Sequence, residues 1–454
     1  MGFSADFVWG VASAAYQIEG AAAEDGRTPT IWDTFSHTTG TTFNGHTGDV
    51  ACDYYHRFAE DIELIASAGL KHYRFGIAWT RIFPYDNSVV NQQGLNFYDK
   101  VVELCLKKGI EPWITLYHWD LPQYLEDKGG WLNRATADAF AHLAATVAHH
   151  FKGRVTNYFT LNEPQCSVGL GYGNGQHAPG KTLSSTDLFY AMHNLALAHG
   201  KASLALRKED SRIKIGIATT GRLCYPASSS LQDLQAAKKA TFTIADHSLF
   251  EWVFTHHWFL DAIMLGHYPA ECAGTFLQPL AAAVSKEDWE IIHQPADFIG
   301  LNVYNGHEVY ADSSGSFAYT AKYPGYPRTA LKWPVTPAVL RYGVNFIYSR
   351  YHTPIYISEN GQSCNDRIML DGHVHDPDRI DFLHRYLQQL SAAIADGTDV
   401  KGYFHWSLTD NYEWHSGYDD RFGLIFVDYL TQQRIPKDSY YWYAQTVSQN
   451  GQNL

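Results

Sequence analysis

HYRFGIAW (72–79), LNFYDKVVELCLKKG (95–109) and EPWITLYHW (111–119) follow one another along the chain. The outer two are short, rich in aromatic and β-branched residues and bounded by turn residues, as buried strands are. The middle one repeats apolar residues at helical spacing. Outward from this unit the same alternation continues. Six more runs read as strands: FVWGVASAAY (7–16), VTNYFTL (155–161), IKIGIATT (213–220), DFIGLNVY (297–304), PIYISE (354–359) and VKGYFHWSL (400–408). Helical periodicity fills 54–70, where a glycine is placed to stop the helix, and also 135–151 and 187–208. Eight strands alternating with helices predict an α/β protein, a single parallel (β/α)8 TIM barrel. The rival, an open doubly wound sheet, usually carries a Gly-rich phosphate turn, and neither GxGxxG nor a Walker loop is present. With no repeat and no linker, residues 1–454 read as one domain. The stretch 305–345 lacks a period and is expected to be a loop over the carboxyl-face mouth of the barrel.

The chain has 34 Lys and Arg against 47 Asp and Glu, a net charge of −13, and no basic run. That balance argues against nucleic acid or an anionic membrane as partner. No apolar run reaches the roughly 18 residues of a membrane span, and MGFSADFVWG has no secretory pattern. Cysteines 52, 105, 166, 224, 272 and 364 are far apart with no CxxC, which fits a reducing compartment and a cytoplasmic location. No HExxH or matching ligand cluster occurs, so neither metal nor cofactor is expected. Nothing in the sequence distinguishes a monomer from a homo-oligomer. Phe, Tyr and Trp make up 15%, and many lie beside hydrogen-bonding residues, as in YHWD, FHWS and NYEW. Flat apolar faces next to polar groups suit a sugar ring.

Active sites of such barrels form where strands end. Here the strands run into Gln17 and Glu19, into His118, Trp119 and Asp120, and into Asn162 and Glu163. Later ones run into Asn302 and Tyr304, into Glu359 and Asn360, and into Trp406 followed by Asp410, Glu413 and Trp414. Glu163 and Glu359 follow strands on opposite sides of an eight-strand barrel, so they can flank one bond, as the paired carboxyls of glycoside hydrolysis do.

TLNEP (160–164) and ISENG (357–361) resemble the two signature segments of the family 1 glycoside hydrolases, the β-glucosidase and β-galactosidase group. The likeness extends through FVWGVASAAYQIEG at the start, YRFGIAWTRIFP (73–84), YHWDLPQYL (117–125), GYGNGQHAPG (171–180), GHYP (266–269) and HWSLTDNYEWHSGYDDRFGLIFVDY (405–429). It implies a (β/α)8 barrel that hydrolyses β-glycosides and oligosaccharides such as cellobiose. The terminal sugar would be β-D-glucosyl, with galactosyl or fucosyl as alternatives. Retention of configuration follows, with Glu163 as acid/base and Glu359 as nucleophile, the carboxyls about 5–5.5 Å apart. The resemblance places Arg74 and Tyr304 beside Glu359. It puts Gln17, His118, Asn162, Glu413 and Trp414 on the sugar hydroxyls, Trp406 beneath the ring and Phe422 at its edge. Asn302 would steady the nucleophile's surroundings, and Trp333 would meet the leaving group.

Several residues carry a plainer reading. Trp119 and Trp131 read as core, Cys166 as a small buried hydrophobe, and His177 as either structural or binding. Two departures stand out. Ser358 replaces the family's usual Thr but keeps its hydroxyl, and Gly76 and Ala78 replace common serines. A phospho-β-glycosidase is the main rival, but such relatives carry Ser and a Lys–x–Tyr set where this chain has Glu413 and its neighbours. A non-catalytic sugar binder would lack one glutamate, and a plant-type thioglucosidase would carry Gln in place of Glu163.

Overall fold

Eight parallel strands pair in chain order and close on themselves in the computed structural model, which describes residues 2–244 and 249–454. They are β1 (Val8–Ala12), β2 (His72–Gly76), β3 (Glu111–Tyr117) and β4 (Asn157–Asn162). Then come β5 (Lys214–Thr219), β6 (Phe298–Asn302), β7 (Ile355–Asn360) and β8 (Val400–Trp406). Closure pairs β1 with both β2 and β8, with Ala12 in register with Trp406. Every strand lies on a predicted one, β4 and β7 running one residue further. The helices Tyr54–Ser67, Gln92–Lys107, Ala135–His150 and Ser185–Glu209 match as well. Gly69 leaves the first of them at φ +73°, a conformation that suits glycine, and the Leu70 amide closes the turn on the Ile65 carbonyl.

The barrel interior is filled by large residues set against small ones. Trp113, Phe159, Phe298 and Phe404 pack with Ala12 and Ala218. A Cβ on Gly216 would come within 2.1 Å of the Phe298 ring, and one on Gly10 within 2.5 Å of Phe404, so both positions need glycine. Gly76 has a similar cause: a side chain there would press on the Ala15 amide at 2.9 Å. A second, larger apolar cluster lies between the strands and the helices. Among the described residues no helix is long and apolar enough to cross a membrane.

The stretch 305–345 is not a loop throughout. His307–Ala311 and Phe317–Tyr319 pair antiparallel, Cys224–Pro226 adds a parallel third strand, and the helix Val339–Tyr351 takes the final residues. Strands of three to five residues with few buried positions leave too little alternation to register in sequence.

Both glutamate-bearing strands lose regular pairing just before their ends. Register shifts fall between Phe159 and Asn162 in β4 and between Ile357 and Asn360 in β7. Such irregularities re-aim side chains.

Candidate active site

Glu163 follows β4 in a left-handed conformation, φ +43°, with its amide held by the Ala218 carbonyl at 2.8 Å. Trp119 and Trp414 share this costly backbone at φ +71° and +53°. Strained backbone of this kind collects where surrounding structure must hold a functional side chain.

Three residues link the two glutamates, and a fourth, Tyr304, holds Glu359 alone. Arg74, from β2, donates through Nη1 to Glu359 Oε1 at 2.6 Å and through Nη2 to Asn162 Oδ1 at 2.6 Å. Asn302 Nδ2 donates to the same Asn162 oxygen at 3.0 Å and to Glu163 Oε1 at 2.8 Å. Tyr304 Oη donates to Glu359 Oε2 at 2.7 Å. Arg74 is itself fully buried, lies over the Phe159 ring and also reaches Thr115 Oγ1.

These partners separate the two acids. Burial, then the charge of Glu359, pushes Glu163 up to about 8. Burial also raises Glu359, but the Arg74 cation and the Tyr304 hydroxyl pull it back toward the charged form. Glu163 receives only weaker or neutral donors. Its proton is therefore the last of the pair to leave. Because Glu359 supplies part of the push, Glu359→Gln should lower the Glu163 pKa. A carbon-13 titration of the Glu163 carboxyl reads this directly, and an unchanged or raised value refutes the electrostatic link.

The sugar-binding candidates surround this pair. Gln17 Nε2 donates to Asn411 Oδ1 at 3.0 Å, to the Tyr412 carbonyl at 2.9 Å and to Glu413 Oε2 at 3.3 Å, while its Oε1 is buried without a partner. Asn162 Nδ2 donates to His118 Nε2 at 2.9 Å. That assigns the His118 proton to Nδ1, which is also buried and unpartnered. Burial keeps His118 neutral. Its ring stacks near Trp406 at 5.7 Å and Trp414 at 5.9 Å. Burial, then Asp420 and Glu359, pushes Glu413 well above the usual carboxylate range.

Glu163, Asn302, Tyr304, Trp333, Glu413 and Trp414 line one cleft of about 790 Å³. Trp333 packs on Tyr304 at 5.3 Å and Phe422 at 6.1 Å. Glu359 is not among the residues that line the cleft and is tied to it by the bond from Tyr304, which does line it. Among the described residues no group of three or more His, Cys, Asp or Glu is arranged to hold a metal ion.

The two glutamates are both buried and are held by different donors, with Glu163 lining the cleft. The profile of glycosyl hydrolase family 1 matches residues 1–452. The chain belongs to this family. It is 43% identical to β-glucosidase A of Thermotoga maritima over 99% of this chain and 98% of that one. A bifunctional β-D-glucosidase/β-D-fucosidase of Bifidobacterium breve is 41% identical over 98% of each chain. The solved Thermotoga maritima β-glucosidase in complex with castanospermine superposes with a TM-score of 0.89 at 42% identity, covering 99% of each chain.

Within this glycosyl hydrolase some sequence readings need correction. Asn302 serves both glutamates: it donates to Glu163 Oε1 and Asn162 Oδ1, its amide also favours the charged form of Glu359, and Ser358 Oγ fixes its orientation by donating to its Oδ1 at 2.6 Å. The hydroxyl that Ser358 keeps from the usual Thr therefore has a partner. Trp119 is not merely core: it lines the cleft and donates through Nε1 to the Asn162 carbonyl at 3.0 Å. Trp131 is fully buried. His177 lines the cleft with Nε2 3.1 Å from His415 Nδ1. Cys166 is buried as expected, yet its Sγ donates to Glu163 Oε2 at 3.2 Å. Sequence reasoning also missed Arg222 and Glu251, an ion pair at 2.6 Å in the cleft wall. Arg222 lies just past β5, so extending strand-end reasoning to that strand would have found it.

Proposed function

We propose that this glycosyl hydrolase is a retaining β-glucosidase that removes terminal β-D-glucosyl residues, with Glu359 as nucleophile and Glu163 as acid/base. The observation that carries this reading is the unequal support of the two carboxyls: a cation and a phenol on one, an amide and a thiol on the other. In the first step the Glu359 carboxylate bonds to the anomeric carbon. The glycosidic C–O bond breaks, and the proton of Glu163 goes to the leaving oxygen. Glu163, now a carboxylate beside a neutral ester, takes a proton from water. The oxygen of that water displaces Glu359 and restores both groups. Activity in kcat/KM requires Glu163 protonated, so it should fall as pH rises through the Glu163 pKa. Proton NMR of the first-formed sugar decides the stereochemistry, and an α-glucose product from a β-glucoside rules the reading out.

The buried, unpartnered Gln17 Oε1 and His118 Nδ1 support a hydroxyl-rich ligand, since buried polar atoms are normally paired. Trp406 would lie under the ring and Phe422 at its edge. Trp333 would face the leaving group, which for cellobiose is glucose. The Bifidobacterium breve relative's name supports tolerance of fucosides. A cytoplasmic site of action fits six cysteines with no disulfide among them.

Asp420 acts on Glu413 electrostatically, so a 6-phosphate would meet two acids there. Glu413→Ser should cost a neutral glucoside about 1–3 kcal/mol in transition-state binding, as for lost hydrogen bonds to a buried acid. The ratio of 6-phosphoglucoside to glucoside activity should rise without yielding a good phosphoglycosidase, for no cation is supplied. A wild-type preference for nitrophenyl 6-phosphoglucoside in kcat/KM would put the phospho-β-glycosidase reading in its place.

A further inference from the structure

The donors around Glu163 have forced directions. Arg74 can only donate, so the Asn162 amide presents Oδ1 to it at 2.6 Å. Asn302 must then turn its NH2 toward that oxygen, and Ser358 Oγ, donating to Asn302 Oδ1, holds the same orientation. Glu163 Oε1 consequently faces the Asn302 N–H in every protonation state. A proton on Oε1 would point at another donor. Oε2 remains, and among the described residues its hydrogen-bond partner is Cys166 Sγ at 3.2 Å. Cys166 stands three residues after Glu163 in the turn Pro164–Cys166, with its amide on the Glu163 carbonyl at 2.9 Å, and it lines the cleft.

We propose that the transferable proton sits on Glu163 Oε2 and that Cys166 is a positioning residue for that oxygen. The thiol donates to Oε2 when Glu163 is a carboxylate and gives way to the glycosidic oxygen when it is protonated. This rests on Glu163 being the acid/base. In the first step the proton leaves Oε2 for the glycosidic oxygen, and the S–H turns to the new carboxylate. In the second, Oε2 takes the proton of water and the thiol is released. No bond to sulfur forms or breaks. A thiol suits the task because it is a weak partner in both directions, so it orients the carboxylate without competing with substrate. Burial and the neighbouring glutamate keep the thiol protonated, hence able to donate.

The test is kcat/KM against pH for wild type, Cys166→Ala and Cys166→Ser with nitrophenyl glucoside, alongside the Glu163→Ala leaving-group series. Cys166→Ala removes a donor from the carboxylate, so the alkaline limb should move up by about half a unit to one unit. Cys166→Ser supplies a stronger donor of nearly equal size, so the limb should move down. Its kcat should fall several-fold for poor leaving groups, while dinitrophenyl glucoside is spared. Limbs that stay in place, or that move in the same direction in both variants, overturn the proposal. The near-isosteric Ser variant keeps the test open if Ala packs badly. Absence of leaving-group dependence in Glu163→Ala sinks the acid/base reading and this proposal together. Unmoved limbs despite that dependence sink the role of the thiol alone.

Discussion

Glu359→Gly is expected to lower turnover by roughly 10⁵–10⁶-fold, the scale on which covalent catalysis fails when its nucleophile is removed. Added azide or formate should restore part of it, with inverted product. The structure gives the reason for choosing an anion. Removing the side chain leaves the Arg74 guanidinium, 0% exposed, and the Tyr304 hydroxyl without the carboxylate they bond. A small anion fills both the volume and the charge, whereas methanol fills only the volume and should rescue poorly. Dinitrophenyl glucoside is the substrate of choice, since its leaving group needs little protonation. Product stereochemistry is read by NMR of the glucosyl azide. An azide product with the substrate's own configuration would mean that the nucleophile is still present, and would remove Glu359 from that role.

Glu163→Ala should separate substrates by leaving group. Those with poor leaving groups need the proton and should lose about 10²–10⁴-fold in kcat/KM. Dinitrophenyl glucoside should lose far less in the first step, so a plot of log kcat/KM against leaving-group pKa steepens. The second step needs Glu163 as base, so the glycosyl-enzyme should accumulate. Azide, which needs no deprotonation, should then speed turnover and give a product of retained configuration. The two azide experiments therefore differ in stereochemistry, and that difference distinguishes the two glutamates. Uniform losses across the series would place the acid elsewhere.

The barrel was legible because each of its signals is local. A strand such as EPWITLY or a helix such as Tyr54–Ser67 is written in the spacing of its own residues, and the stop at Gly69 in one residue type. Eight such units leave few ways to bury their faces, so the position of Glu163 and Glu359 at strand ends on one rim followed. The small sheet at the mouth was not legible, for its strands are too short to carry a period.

The chemistry of the rim was decided by tertiary structure. Arg74 and Glu359 are 285 residues apart, yet their contact at 2.6 Å, with burial and the charge of Glu359 acting on Glu163, separates the two acids. Charge interactions and desolvation act over a few ångströms, so the pKa of a carboxyl belongs to its surroundings and not to its sequence position. Sequence alone determined which residues stand at the strand ends, because strand order is encoded locally. Which donors reach each glutamate, and which of the two lies beside the Arg74 cation, were decided only when distant residues closed around them.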